Sequence, residues 1–319
     1  MEFTFIWSHY LYPLARLIFF ISLGVFIGNL IEALNWTKWL ASLSKPLVKF
    51  GHLQPISGAS FSVAFFSGVS ANTMLAEAYD QNQISRKELI LSNLFNSLPT
   101  YFLHLPTTFF LVAPFIKQAT IPYFSLTIGA ALFRTLFTIG LGHFILPPPK
   151  DTQDVQNQIQ DSKKEISYRE LIQKTVARFQ KRLKKILVLT VPIYIGFKLL
   201  AAYGFFHWLE KKVAGLIVFF PWIPTKAISV IIMQMAADFS AGLAAASALL
   251  DSHALTVKQI VIALILGNIL SSPLRALRHQ FPYYAGIYPP KLAVLLMACN
   301  QGLRIISLAL MLFLYCYCF

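Results

Sequence analysis

Asp80-Gln-Asn-Gln-Ile84-Ser85-Arg-Lys87-Glu88-Leu89 returns about 171 residues further on as Asp251-Ser-His-Ala-Leu255-Thr256-Val-Lys258-Gln259-Ile260. Each copy runs through an Asp, three polar or small residues, an aliphatic residue and a hydroxyl, then a Lys two positions on and a long apolar run. Further along, Phe133-Arg134 finds Leu303-Arg304 at nearly the same offset. Two copies of a membrane unit in one chain is the plan of many transporters, with the solute held between the halves. Repeats also occur in membrane proteins that carry nothing, so the repeat by itself does not decide the function.

Composition sets the class. Of 319 residues, 56% are hydrophobic and 13% charged, against roughly 25% charged in ordinary soluble domains. The apolar residues come in runs such as Leu11 to Leu34, Ile186 to Leu209, Val257 to Leu274 and Leu292 to Phe319, long enough to cross a bilayer as helix. The alternation of an outer-membrane barrel is absent, so the expected fold class is all-α, a polytopic helical membrane protein of about 8–10 segments. The N-terminus has no basic start and no small-residue cleavage site, and Leu11 to Leu34 reads as a retained helix. Cys299, Cys316 and Cys318 all fall in the last apolar run and form no CxxC or zinc spacing, so disulfides, a structural metal and a cofactor are not expected.

The net charge of +14 does not point to nucleic acid. Ten of the 27 basic residues lie between Lys150 and Lys185, with five acids among them, in the one long hydrophilic stretch. Its end, Lys174 to Lys185, abuts an apolar run. That is the positive-inside pattern and places residues 147–183 in the cytoplasm, against anionic headgroups. A topology anchor is one reading of this linker; a docking site for a partner is the other.

The linker divides the chain into a first membrane repeat (1–146) and a second (184–319). The first has Leu11 to Leu34, an interfacial stretch with Trp36, Trp39, Lys38, Lys45 and Lys49, then Pro55 to Ala78, Lys87 to Ile116 and Ile121 to Leu146, stopped by Pro147-Pro148-Pro149. The second has Ile186 to Leu209, Lys226 to Leu250, Val257 to Tyr284 and Lys291 to Phe319. Prolines puncture the third segments (Pro99 and Pro106; Pro273 and Pro282), and Ser and Gly replace Leu in the second segments. Irregular backbone at membrane depth needs cover from protein or a water-filled cavity. Broken or re-entrant helices and inverted repeats are therefore expected.

Several stretches carry chemistry. Ser57-Gly58-Ala59-Ser60-Phe61-Ser62 and Ser67-Gly68-Val69-Ser70-Ala71-Asn72-Thr73 fit a solute-facing lining or close helix packing through small residues. Asp238, an acid inside an apolar segment, fits a coupling site or a counter-ion to an arginine. Glu32 and Glu77 sit nearer segment ends and suit headgroup-facing positions. The densest polar run is Gly267 to Gln280. Uniform helical spacing there would put Arg275, Arg278 and His279 on one face, one to two turns after Asn268, Ser271 and Ser272. Arg304 is a fourth basic group, and the corresponding set in the first half is Asn93, Asn96, Ser97, Pro99, His104 and Arg134. Guanidinium groups beside broken-helix amides suit an anion, because their planar forks grip phosphate or carboxylate. The competing reading is that Arg275 and Arg278 snorkel to the headgroups. Walker A, GxSxG and HExxH sequences are absent, so no enzyme activity is expected.

Ser67-Gly-Val-Ser-Ala-Asn-Thr-Met-Leu-Ala-Glu-Ala-Tyr-Asp-Gln-Asn-Gln-Ile-Ser-Arg-Lys-Glu-Leu89 resembles a Gate domain, also called the nucleoside recognition domain. Ala236 to Arg304 resembles the C-terminal half of two-Gate membrane proteins, on Asn268-Ile-Leu-Ser-Ser-Pro-Leu-Arg-Ala-Leu-Arg-His-Gln-Phe-Pro282 and Asn300-Gln-Gly-Leu-Arg304. Gate domains also occur in nucleoside transporters, ferrous-iron transporters and spore maturation proteins, so the resemblance implies a membrane pore or transport role without naming the solute. The cysteine-bearing metal motif of the iron transporters is missing, and the acidic motifs of nucleoside transporters are not evident.

The expectation is an inner-membrane, multi-pass transporter, secondary-active or facilitative, for a small polar or anionic solute. Nucleosides and phosphate-bearing or lipid-linked molecules are candidates. Arg275, Arg278, His279, Arg304 and Arg134 would contact the anion. Asn268, Ser271, Ser272, Asn93, Asn96 and Ser97 would supply hydrogen bonds, with Asp238 as coupling site or counter-ion. Membrane lipids and a small molecule are the expected partners, a homo-oligomer is compatible, and nucleic acid is not expected. A non-transporting scaffold docking a partner through the linker, and a divalent metal ion transporter, are the alternatives.

Overall fold

A computed structural model describes residues 44–148, 224–236 and 239–318, with isolated positions at Trp7, Ala15, Tyr203, Gly204 and Trp208. Leu11 to Leu34, the linker, Ile186 to Leu209 and Asp238 therefore fall wholly or almost wholly outside the described residues. All the regular elements described are helical, with no strand among the described residues. After a helical stretch over 44–50 come α1 (Pro55–Val63), α2 (Gly68–Asp80), α3 (Arg86–Phe95), α4 (Ser97–Ile116) and α5 (Thr120–Ile145). Past the linker come α6 (Thr225–Ala236), α7 (Phe239–Asp251), α8 (Val257–Arg275), α9 (Phe281–Ile287) and α10 (Pro290–Cys318).

Three apolar helical runs, Thr108–Ile145, Val257–Ile287 and Pro290–Cys318, are long enough to cross a membrane. The first is not one rod. Phe109 and Phe124 have ring centroids 5.3 Å apart, whereas fifteen residues of straight helix would separate them by roughly 22 Å. The chain reverses at the 3₁₀ turn Lys117–Ala119, where Lys117 takes φ 45°. Within that run α5 is the membrane-length piece, 26 residues or about 39 Å of helix. A second reversal separates α9 from α10, since Gln301 Nε2 donates to Gln280 Oε1 at 2.9 Å across 21 residues. Exposed Phe110, Ile121, Leu136, Phe144 and Ile306 clothe these helices in apolar surface, as lipid contact requires.

The motif Asp80–Leu89 and its second copy Asp251–Ile260 fold alike. Asn82 and His253 each take a left-handed conformation, φ 58° and 54°, in the turn after α2 and after α7. Ser85 then caps α3 by accepting the Glu88 N–H, and Thr256 caps α8 by accepting the Gln259 N–H. A hydroxyl at this position satisfies a backbone donor that the helix leaves without an internal partner.

The described chain packs as two compact units, and each draws on both sides of the linker. Among the described residues, unit 1 takes those within 1–103, 135–192 and 283–296, and unit 2 those within 104–134, 193–282 and 297–319. The turn of the α4–α5 hairpin thus belongs with α6–α8, and the α9–α10 turn belongs with α1–α3. In unit 1, Val48, Leu53, Phe61, Leu91, Phe95, Ile139 and Leu146 form one apolar cluster. Unit 2 has a larger one, with Val112, Ile116, Ile231, Leu243, Ile260, Leu264 and Leu308 among its buried members. In unit 1, Gly142 lies against the backbone of Gly51, where a Cβ would come 2.5 Å from the carbonyl oxygen.

Candidate functional site

Unit 2 holds a polar cluster inside its apolar core. Asn268, on α8, sits at its centre. Its Oδ1 accepts from Arg275 at 3.0 Å and from Gln234 Nε2 at 3.0 Å, and its Nδ2 donates to the Tyr123 hydroxyl at 2.8 Å. Asn268 and Arg275 are seven residues apart, two helical turns, so they share a face of α8. Asn268 and Gln234 are buried, where an amide group left without a hydrogen-bond partner is costly. Arg275 Cζ lies 6.0 Å from the centre of the Phe239 ring, and Arg304 is near enough to act on it as a like charge. Among the described residues no carboxylate is bonded to Arg275. Beside this cluster, Ser272 donates to Gln301 Oε1 at 2.6 Å, and Gln301 donates onward to Gln280. Ser271 Oγ is buried with no hydrogen-bond partner among the described residues.

Uniform helical spacing fails just past Arg275. Ala276–Gln280 forms a π turn, three residues after Pro273, whose missing N–H interrupts the α-helical ladder. Arg275 turns back to Asn268, Arg278 is half-buried and His279 is exposed. The single face expected for these three groups is therefore redrawn by the extra residue in that turn. Arg134 is buried and belongs to unit 2, the same unit as Arg275, Arg278, His279 and Arg304.

Unit 1 has its own cluster, built of amides and phenols. Asn93 Nδ2 donates to Asn72 Oδ1 at 2.7 Å and to the Tyr284 hydroxyl at 3.0 Å. Asn72 Nδ2 donates to the Gly68 carbonyl and to the Tyr283 hydroxyl. Tyr288, 1% exposed, donates to the Asn72 carbonyl at 2.9 Å. Asn96 Nδ2 donates to Ser60 Oγ, which donates to the Ala71 carbonyl. Asn96 Oδ1 and Ser97 Oγ are enclosed without a hydrogen-bond partner among the described residues. The hydroxyls of Ser57, Ser60, Ser62 and Ser70 are all engaged within the unit, and a Cβ at Gly58 would come 2.6 Å from Ser44 Oγ. That stretch performs close helix packing.

Of the residues expected to act together, the structure joins Asn268 with Arg275 and places Asn93, Asn96 and Ser97 in unit 1. Asn72 lies in the small-residue stretch Ser67 to Thr73 that the sequence marks, whereas Gln234, Tyr123 and the three tyrosines 283, 284 and 288 were not singled out by sequence. The signal for Gln234 was a lone amide in the apolar run Ile231 to Met235; the tyrosines gave none.

No family model matches this sequence, and no solved structure matches it. The uncharacterized protein MJ0871 of Methanocaldococcus jannaschii is 27% identical over 288 residues, covering 88% of this chain and 86% of its own length. The uncharacterized proteins MJ1556 and MJ0880 of the same organism are 24% and 25% identical, over 96% and 93% of this chain and 94% and 97% of theirs. The similarity thus runs through both halves and the linker between them.

Proposed function

We propose that the chain is a membrane transporter, secondary-active or facilitative, for a small anionic solute, and that Arg275 is its principal solute contact. The supporting observation is the state of Arg275. It lies in the apolar run Val257–Ile287; among the described residues its hydrogen bond goes to the neutral amide of Asn268 and its charged neighbour is Arg304. Two guanidinium groups in such surroundings repel, and each forgoes much of its hydration. An oxyanion relieves both costs, because each fork offers parallel N–H donors to two oxygens. Asn268, itself held by Gln234 and Tyr123, fixes the direction in which Arg275 presents its remaining donors.

The wider reading is of two Gate-type repeats in inverted orientation, in the inner membrane, with residues 147–183 cytoplasmic. The two matching turns around Asn82 and His253 support the repeat. Phosphate-bearing molecules are the favoured solutes, and nucleosides are the neutral alternative that the Gate resemblance suggests.

Thermal denaturation of the detergent-purified protein with phosphate, nucleotides or nucleosides tests this. A ligand that binds only the folded state raises the apparent melting temperature. Stabilisation by phosphate compounds, lost in Arg275→Gln and in Arg304→Ala, is the expected result. Stabilisation by nucleosides that survives both changes would replace the anion reading with a neutral one. Silence across the panel would count against transport of these solutes.

A further inference from the structure

Among the described residues, Glu88 is a carboxylate that the helix framework holds without a cation. It is 6% exposed. Its Oε1 accepts the Gln54 N–H at 2.6 Å and the Ser57 hydroxyl at 3.2 Å, and Ser57 in turn accepts from Ser92 at 2.7 Å. Oε2 has no hydrogen-bond partner among the described residues.

On its own helix, Arg86 and Lys87 are exposed. α1, which packs on α3, has no titratable side chain. α2, also against α3, carries Glu77, Tyr79 and Asp80, none of them bonded to Glu88. Lys45 and Lys49, on the helical stretch before α1, are exposed, and His52 is bonded to the Leu146 carbonyl.

We propose that Glu88 is a proton-binding site, taking up and releasing one proton on Oε2 while Oε1 keeps its bonds to Gln54 and Ser57. Two opposed effects bring the carboxyl into a titratable state. Burial disfavours the charge. The first turn of α3 and the Gln54 N–H at the start of α1 favour it. Burial is the larger effect and pushes the carboxyl above its ordinary value, while the Gln54 N–H and the Ser57 hydroxyl pull it back. Glu88 lies outside the three membrane-length runs. Helix capping alone does not call for an acid here. At the matching place in the second half stands Gln259, whose neutral amide accepts the Thr256 N–H and closes that helix start. The inference stands apart from the transport reading; if that reading holds as well, the proton is a candidate coupling ion.

The sign follows from the direction of the shift. A carboxyl that holds its proton more tightly in the folded state stabilises the protein fully below the ordinary carboxylate range. That contribution is lost as pH rises through the raised value. The test compares the melting temperature of wild type and Glu88→Gln, without added solute, between about pH 5 and about pH 8. Glu88→Gln keeps an acceptor oxygen for Gln54 and Ser57 and cannot titrate. A fall with pH in the wild type that flattens in Glu88→Gln is the expected result. It should be accompanied by loss of a protonated-carboxyl band in pH-difference infrared spectra that Glu77→Gln retains. Parallel melting curves with unchanged infrared spectra would overturn the site and leave Glu88 a helix-capping group. Because no solute is present, this outcome is separable from failure of the transporter proposal.

Discussion

Gly267 on α8 is packed directly beneath the side-chain carbonyl of Gln234 on α6: a Cβ at Gly267 would overlap Gln234 Oε1. Gly242 on α7 meets the same side chain from another side, where a Cβ would lie 2.7 Å from Gln234 Cβ. Two glycines therefore clear the space that lets a glutamine cross the core and hold Asn268. Gln234 Oε1 has no hydrogen-bond partner among the described residues.

Gly267→Ala forces Gln234 out of place and should destabilise by about 1–3 kcal/mol. Gln234→Ala removes the obstructing carbonyl, so the double variant should be less damaged than the sum of the two single ones. A double-mutant cycle on chemical denaturation in detergent measures that coupling. Additive effects would mean that the two residues do not share the space.

Asn268→Asp tests how Arg275 is kept available. The substituted carboxylate still accepts from Arg275 and Gln234, and the Tyr123 hydroxyl can reverse its role and donate. Arg275 would then be neutralised within the protein. The expected outcome is a folded protein whose melting temperature no longer responds to phosphate compounds. Retention of the full response would remove Arg275 from the anion site. Asn268→Leu, which leaves Gln234 Nε2 and the guanidinium without their shared acceptor, should instead destabilise strongly.

Tyr288 reaches across 216 residues of sequence to the Asn72 carbonyl. Tyr288→Phe keeps the buried ring and removes the donor, leaving a buried carbonyl short of one partner. The expected loss is about 1–2 kcal/mol, seen as a lower denaturation midpoint. Tyr283→Phe, which leaves the Asn72 amide still bonded to the Gly68 carbonyl, should cost less.

The difference between these sites shows what the sequence makes legible. The helical membrane class follows from composition and run length, and the Ser85 and Thr256 caps follow from local chemistry within three residues. The Asn268–Arg275 pair also lies within reach of sequence, because two helical turns bring the side chains to one face. The π turn at Ala276–Gln280 shifts the residues beyond it, and no local pattern announces one extra residue in a helix. The pairing of Asn72 and Asn93 with tyrosines 283, 284 and 288 depends on the α9–α10 turn belonging to the unit of α1–α3. That is a property of long-range packing, to which hydrophobic periodicity is blind.

Ser85 and Thr256 give a last comparison, because the same cap serves two helices of different burden. Ser85→Ala removes the acceptor for the Glu88 N–H, and Thr256→Ala removes that for the Gln259 N–H. Each cap is worth about 1 kcal/mol. The Thr256 change also undoes a reciprocal box, yet Gln259 can keep its own bond to the residue 256 N–H, so its cost should stay near that figure. The Ser85 change falls next to buried Glu88, whose backbone Ser85 anchors. Loosening that turn should weaken the carboxyl's hold on Gln54 as well. Denaturation midpoints should therefore fall further for Ser85→Ala than for Thr256→Ala, and the excess should shrink in a Glu88→Gln background. Equal losses in both backgrounds would show that the cap and the carboxyl act independently.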